Sequence, residues 1–442
     1  MRPSGAGTRP SAGRRDAPRP DGVTRDAVDR DVAAAVEREL AQVLRDRVRD
    51  AAELDAVFAR DIAEHVADFT LRGGRRIRSQ FLWWGLRACG GGEAGTGAVL
   101  SIAAGLELIQ TCALVHDDVM DGSPLRRGRP AVHTDFAARH GAMTSPGAAA
   151  GPGAPASPGA AVPFGTAAAV LVGDLALAWA DDTVADALAD ADLAPERRRR
   201  VREVWRAMRT EMVAGQYLDL HSQAAGSRSA VRAIRAACLK TARYTVERPL
   251  ALGAALAGAD EATVDGLCSA GRRAGLAFQL RDDLLGVFGD PRRTGKPSGD
   301  DIREGKLTYL VAVARARAEA HGDTASRTLL DGALGDRGLS EGDLDRVRAV
   351  LTDTGAKDLV VATIDRLAAQ SVRHLADVTV DPTARGRLGA LFRAVAGVAA
   401  PGESTGADPY APSGPPQPAA MPVDAAPAHV APLLDAGRGS GR

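Results

Sequence analysis

The stretch HDDVMDGSPLRRGRP, residues 116–130, follows directly on the apolar run LELIQTCALV, residues 106–115. Such a run with small and branched residues on every side predicts a buried helix. Asp117, Asp118 and Asp121 then form a DDxxD pattern on it. On a helix, residues four apart share a face, so Asp117 and Asp121 bring like charges together. Like charges at that spacing destabilise a bare helix, and the cluster calls for a cation. A solvated acidic face is the bland alternative, and the apolar text just before the cluster argues against it. The donors are all hard oxygens with no His or Cys among them, which favours magnesium held by a few carboxylates together with substrate phosphates.

A second cluster, FQLRDDLLGVFGD, occupies residues 278–290. Gln279, Asp282 and Asp283 fall at i, i+3 and i+4, on one face of another apolar helix. Two acidic helices of this kind predict two walls of one cavity with metals between them. The ligand bridging those metals has to be strongly anionic, and a diphosphate satisfies this.

Cations flank both clusters. Arg126, Arg127 and Arg129 come just after the first; GGRRIRS supplies Arg75, Arg76 and Arg78. The chain carries 56 Lys and Arg residues, of which only four are lysines: Lys240, Lys296, Lys306 and Lys357. A chain that uses arginine for generic charge retains lysine where a compact ammonium is needed. Lys240 opens KTARYT, and Lys296 and Lys306 lie in TGKPSGDDIREGK just past the second cluster, so three of the four sit beside acidic or hydroxyl-rich text. Lys357 has no such setting.

The remaining composition narrows the class. The 442 residues are 45% apolar and only 4% aromatic, rich in Ala and Leu, and formally neutral. Good helix formers dominate, and neutrality gives no reason to expect nucleic acid or an anionic membrane surface. Four dispersed cysteines, Cys89, Cys112, Cys238 and Cys268, show no zinc spacing and fit a reducing, cytoplasmic setting. The Arg-rich N-terminus has no apolar segment that would make it a secretory signal, and Glu107 and Asp174 interrupt the longest apolar runs, so no membrane span is expected. Periodicity predicts an all-α fold, a single large helical bundle around a central cavity. It covers residues 26–400, with disordered tails at 1–25 and 401–442 and a flexible Ala/Gly/Pro insertion at 143–163.

Taken in order, the two acidic motifs, GGRRIR, the RRG after the first motif, KTA-YT, GQ-LD and TGKP…GK resemble the trans-isoprenyl diphosphate synthase, or polyprenyl synthase, family, in particular bacterial geranylgeranyl diphosphate synthases. The resemblance runs from about Gly73 to Lys306 and more faintly to residue 400. It implies an isoprenoid-synthase bundle that joins isopentenyl diphosphate head to tail (1'-4) to an allylic diphosphate, whether dimethylallyl, geranyl or farnesyl. It implies three magnesium ions, bound with the diphosphate and ligated by Asp117, Asp121 and Asp282, with Asp118 and Asp283 beside them. Arg126, Lys240 and Lys296 would hold the allylic diphosphate; Arg75, Arg78, Gln110 and Arg127 would hold isopentenyl diphosphate, with Lys306 adding charge nearby. Thr241 and Gln279, with Lys240, would line the path of the cation, and Gln216 and Asp219 would support the metal site. A homodimer is implied as well. Three positions depart from the pattern: Arg75 stands where Lys is usual, Ser79 where Pro is usual, and Gly286 where the second motif usually has its third aspartate.

Product length should follow cavity depth. Ala113 and Cys112, four and five residues before Asp117, lie one turn deeper, and both are small. Aromatic residues at these positions cap short products in the family, so their absence argues for C20, geranylgeranyl diphosphate. Leu108 and Ile109 would be the floor, or Trp83 and Trp84 from another helix. A class I terpene cyclase shares DDxxD and magnesium but would carry an Asn/Asp, Ser/Thr and Glu triad instead of DDLLG and needs no second diphosphate site. A non-catalytic partner subunit should have lost its acidic ligands, and both clusters persist here.

Overall fold

The computed structural model describes residues 23–92, 95–144, 161–226, 229–291 and 298–398. The expected tails lie almost wholly outside them, as do residues 145–160 of the insertion and Lys296.

The fold is all-α apart from one two-residue hairpin. Helix α1 (Val32–Leu54) and helix α2 (Ile77–Ala88) pack near the long α3 (Thr96–Asp121), which carries the first acidic motif. Gly122, left-handed at φ 66°, ends α3 directly after Asp121. Glycine accepts that conformation without a Cβ clash, so the chain reverses there. It runs into the hairpin of β1 (Leu125–Arg126) and β2 (Arg129–Pro130), which returns Arg126 to the motif it follows. Next come α4 (Val132–Thr144), α5 (Ala161–Asp190) and α6 (Pro195–Ala224). Helix α7 (Ala230–Ala237) widens into a π turn over Cys238–Glu247 before α8 (Arg248–Ala257). Helix α9 (Glu261–Phe288) carries the second acidic motif. A short α10 (Asp300–Arg303) leads to α11 (Tyr309–Ala320), α12 (Thr324–Ala333), α13 (Glu341–Asp353), α14 (Ala356–Ala376) and α15 (Pro382–Ala396).

Two apolar cores flank the site. The larger gathers α1, α2, α3, α5 and α8 around fully buried residues such as Phe81, Leu106 and Leu108. The smaller gathers α11, α13 and α14 around Leu310, Leu344 and Val360. Helix α9 joins them: Leu267, Ala270 and Ala274 lie in the first and Leu276, Leu280 and Leu284 in the second. Its central turns are therefore fixed from both sides, where Gln279 and Asp282 project.

By length and composition, Thr96–Asp121 and Val162–Asp190 could each cross a bilayer. The first is mostly buried and serves as the central core helix. Its Glu107, the interruption noted in the sequence, is buried against Arg76 Nη1 at 3.2 Å and accepts from Ser79 Oγ at 2.7 Å. Ser79 thus has a physical reason to replace proline: its hydroxyl satisfies a buried carboxylate.

Candidate active site

A cavity of about 1370 Å³ is lined by both acidic motifs and by most of the cations singled out in the sequence. From α3 it receives Gln110, Cys112, Ala113 and Asp117; from α6, Gln216 and Asp219; from the π turn, Lys240 and Thr241; from α9, Gln279, Asp282 and Asp283. Arg75, Arg78, Arg126, Arg127 and Lys306 also line it. Asp118 and Asp121 are buried behind it, 1% and 5% exposed. Ile109 is fully buried in the larger core and, like Trp83 and Trp84, lies outside the lining.

The carboxylates are held by cations from distant parts of the chain. Lys240 Nζ donates to Asp117 at 2.8 Å and to Asp219 at 3.1 Å, and Gln216 Nε2 donates to Asp117 at 3.2 Å. Arg126 Nε donates to both oxygens of Asp118, at 2.9 and 3.0 Å. Lys306 Nζ reaches Asp121 at 2.6 Å, Glu304 at 2.8 Å and Asp301 at 3.6 Å. Burial alone would push the Asp117 carboxyl up; Lys240, Lys306 and Arg126 reverse this and hold it well below the usual carboxylate range. Asp121 has the opposite balance: burial and the Asp117 charge push it to about 6 despite Lys306. Asp283, buried and close to Asp301 and Asp282, is pushed to about 8, although Gln279 Nε2 donates to it at 2.7 Å.

Lys240 owes its position to the backbone. Gly215 of α6 lies so close to the π turn that a Cβ there would meet the Lys240 nitrogen at 2.4 Å. The absent side chain lets the two segments touch, and the π turn aims Lys240 at Asp117 and Asp219 together.

A second polar region lies along the same cavity. Arg78 sits over the Tyr244 ring, 4.5 Å from its centroid, and donates to Thr245 at 2.9 Å. Arg78 Nε and Gln110 Oε1 are buried and lack hydrogen-bond partners among the described residues. Buried polar atoms of this kind ordinarily have a partner, and a polar ligand would supply it. Arg127, at φ 54°, is tied by Nη1 to the carbonyls of Arg72 and Gly73 at 2.9 and 3.2 Å. Arg75 is exposed at the rim.

The donor set suits a hard divalent cation. Asp121 Oδ1 is buried and unpartnered among the described residues. Among the described residues no three acidic, His or Cys side chains cluster closely enough to hold an ion by themselves. Magnesium needs no such cluster, since it takes one or two carboxylates and completes its shell with water and phosphate oxygens. Sequence reasoning passed over Asp301 and Glu304. Both stand in GDDIREGK beside Lys306, and the density of charge around a rare lysine was the signal available.

The polyprenyl synthetase family matches residues 60–350, which include both acidic helices and the cavity lining from Arg75 to Tyr309. The chain belongs to that family. It is a prenyltransferase of the all-α isoprenyl synthase fold. A geranylfarnesyl diphosphate synthase of Aeropyrum pernix is 32% identical over 286 residues, covering 65% of this chain and 78% of that protein. A geranylgeranyl diphosphate synthase of Mycobacterium tuberculosis is 29% identical over 310 residues, covering 70% and 77%. Among solved structures, the geranylgeranyl pyrophosphate synthase of Corynebacterium glutamicum, complexed with isoprenyl diphosphate and magnesium, superposes with a TM-score of 0.75 at 38% identity. That match covers 82% of this chain and 97% of the other.

Proposed function

We propose that this polyprenyl synthetase condenses isopentenyl diphosphate with an allylic diphosphate and releases geranylgeranyl diphosphate. The observation that carries the reading is that one cavity is lined by Asp117 and Asp282, by Lys240, and by the separate group Arg75, Arg78, Gln110 and Arg127. One diphosphate fits between the carboxylate walls and a second against the arginines. A terpene cyclase would need only the first.

Asp117, Asp121 and Asp282 would hold magnesium, as three ions, with Asp118 and Asp283 beside them. Bound there, magnesium would neutralise charge as the diphosphate leaves the allylic carbon. The chain's own groups do the rest. Lys240, steadied by Asp117 and Asp219, presents an ammonium to the leaving oxygens, and Arg126 adds a second cation. Gln279 commits its Nε2 to Asp283, so its carbonyl oxygen is the end available to the allylic cation, as is the Thr241 hydroxyl. Arg75, Arg78 and Arg127 orient isopentenyl diphosphate so that its double bond attacks that cation; the new carbon–carbon bond leaves a tertiary cation, which gives a proton to the departed diphosphate.

Cys112 and Ala113 belong to the apolar part of the lining, with Leu177 and Met212. Small residues at 112 and 113 leave room for the growing chain and support a C20 product. Replacing Cys112 by Phe is expected to shift the main product to C15 and lower the C20 fraction about tenfold, within the ~1–3 kcal/mol that apolar pockets discriminate. An unchanged product profile would refute the assignment.

Helix α5 leaves Val162, Phe164, Val170 and Leu171 exposed. These exposed apolar side chains support a homodimer through this helix. Nothing in the charge balance favours nucleic acid, and we assign the enzyme to the cytoplasm without a membrane span. The deciding experiment is a magnesium-dependent assay with labelled isopentenyl diphosphate and each allylic starter, with the dephosphorylated products sized. C20 alcohol is expected. Hydrocarbons formed from one prenyl diphosphate alone, or no turnover, would overturn the reading.

A further inference from the structure

The bend that opens α2 is strained. Gly73 and Gly74 have φ of 87° and 117°, and Arg76, with a full side chain, is held at φ 49° as the residue preceding α2. A left-handed arginine is unfavourable unless its surroundings fix it. A buried carboxylate does so. Arg76 is 4% and Glu107 7% exposed, and Arg76 Nη1 donates to Glu107 Oε2 at 3.2 Å. Arg76 Nε also donates to Glu37 at 3.3 Å. The other oxygen of Glu107 accepts from Ser79 Oγ, in the first turn of α2, at 2.7 Å. One carboxylate on α3 therefore grips both the bend and the helix that follows it.

The grip has a direction. Arg76 turns inward to α3 and lies outside the cavity lining, while Arg75 and Arg78, on either side of it in sequence, both line the cavity. Gln110, three residues after Glu107 on α3, lines it too. Arg127 joins the same bend through the carbonyls of Arg72 and Gly73. All four groups assigned to the second diphosphate thus hang on the bend or on the helix that Glu107 ties to it. Glu107 also supplies negative charge to a crowded cationic cluster. Burial lowers the Arg127 guanidinium, as do Arg126, Arg76 and Arg78, and Glu107 opposes them.

We propose that Glu107 is a positioning residue for the second diphosphate: by gripping Arg76 and Ser79 it sets the bend at residues 73–79 so that Arg75, Arg78 and Arg127 converge on one anion. The proposal rests on the two-diphosphate reading above. Ser79, standing where proline is usual, supplies the second of the two fastenings. A buried ion pair that only stabilised the fold would affect both substrates alike, whereas a positioning role is confined to one.

The test is steady-state kinetics of the full chain at saturating magnesium. Isopentenyl diphosphate is varied against a saturating allylic diphosphate, then the reverse, with circular dichroism melts for each variant. Glu107→Gln keeps the shape and removes the charge. It is expected to raise KM for isopentenyl diphosphate about 10–100-fold, the effect of weakening a hydrogen bond to a charged group. KM for the allylic diphosphate and kcat are expected to stay within about twofold of the wild type. Ser79→Ala removes one fastening, leaves Arg76 paired, and is expected to raise the KM for isopentenyl diphosphate about threefold. It carries the test if Glu107→Gln does not fold. A rise in both KM values together, or an unchanged KM for isopentenyl diphosphate in a folded variant, overturns the positioning role alone. Turnover of one prenyl diphosphate by the wild type without isopentenyl diphosphate overturns the two-diphosphate reading and this proposal with it.

Discussion

Asp117→Asn is expected to lower kcat/KM by at least about 10³-fold, roughly 4 kcal/mol of transition-state stabilisation. Asp117 is the carboxylate of the first motif that faces the cavity, and its charge is preserved by three cations despite burial. The amide keeps the shape and removes the charge that would hold the metal and anchor Lys240. Lys240 would keep only Asp219 at 3.1 Å, so its ammonium loses the restraint that aims it. Asp118→Asn provides the contrast. Asp118 lies behind the cavity and acts through Arg126, so its loss is expected to cost only about 10–100-fold. The measurement is steady-state kinetics at saturating magnesium with thermal melts as a fold control. A folded Asp117→Asn enzyme within tenfold of wild type, or an Asp118→Asn enzyme as damaged as Asp117→Asn, would contradict this arrangement.

What the sequence disclosed and what it concealed follow one physical line. Asp117 and Asp121, or Gln279, Asp282 and Asp283, are legible because their spacing and their apolar surroundings are local: a charge pattern inside helical core text conflicts with burial unless it has a use. The all-α class was legible for the same reason, as helix propensity and periodicity act over a few residues. Lys240 and Lys306 stood out only because this chain is so poor in lysine. Arg126 was legible as a cation just past the first motif, but its pairing with Asp118 was not, and only the reversal at Gly122 and the hairpin reveals that it returns there. Glu107 read as a break in an apolar run. Arg76 and Ser79, its partners, lie on another helix and its cap. A contact between segments leaves no periodic mark on either.

The buried ion network behind the site is the extreme case, and it sets the largest expected effect on stability. Glu247, at the end of the π turn, is 2% exposed and accepts from Arg272 Nε and Nη2, both at 2.8 Å. Glu211 of α6 accepts from Arg243 at 2.6 Å and from Arg248 Nε at 2.7 Å. Arg243 Nε lies 3.7 Å from Glu247 and connects the two carboxylates. The network therefore fastens α6, the π turn and α9, the segments that carry Gln216 and Asp219, Lys240 and Thr241, and Gln279 and Asp282. Deleting one partner leaves the other charge buried and unpaired, which ordinarily costs about 3–5 kcal/mol. Glu247→Ala is expected to destabilise by that amount in denaturant unfolding, because Arg272 loses both of its hydrogen bonds to Glu247. Adding Arg272→Met should recover much of the loss, because two apolar groups carry no desolvation penalty. A Glu247→Ala cost below about 1 kcal/mol, or no recovery in the double variant, would show that the pair is hydrated and does not brace the site. Activity separates two roles for the network. If it only stabilises, the folded double variant keeps wild-type turnover. If it also aims Lys240, as its attachment to the π turn implies, turnover stays depressed after stability has returned.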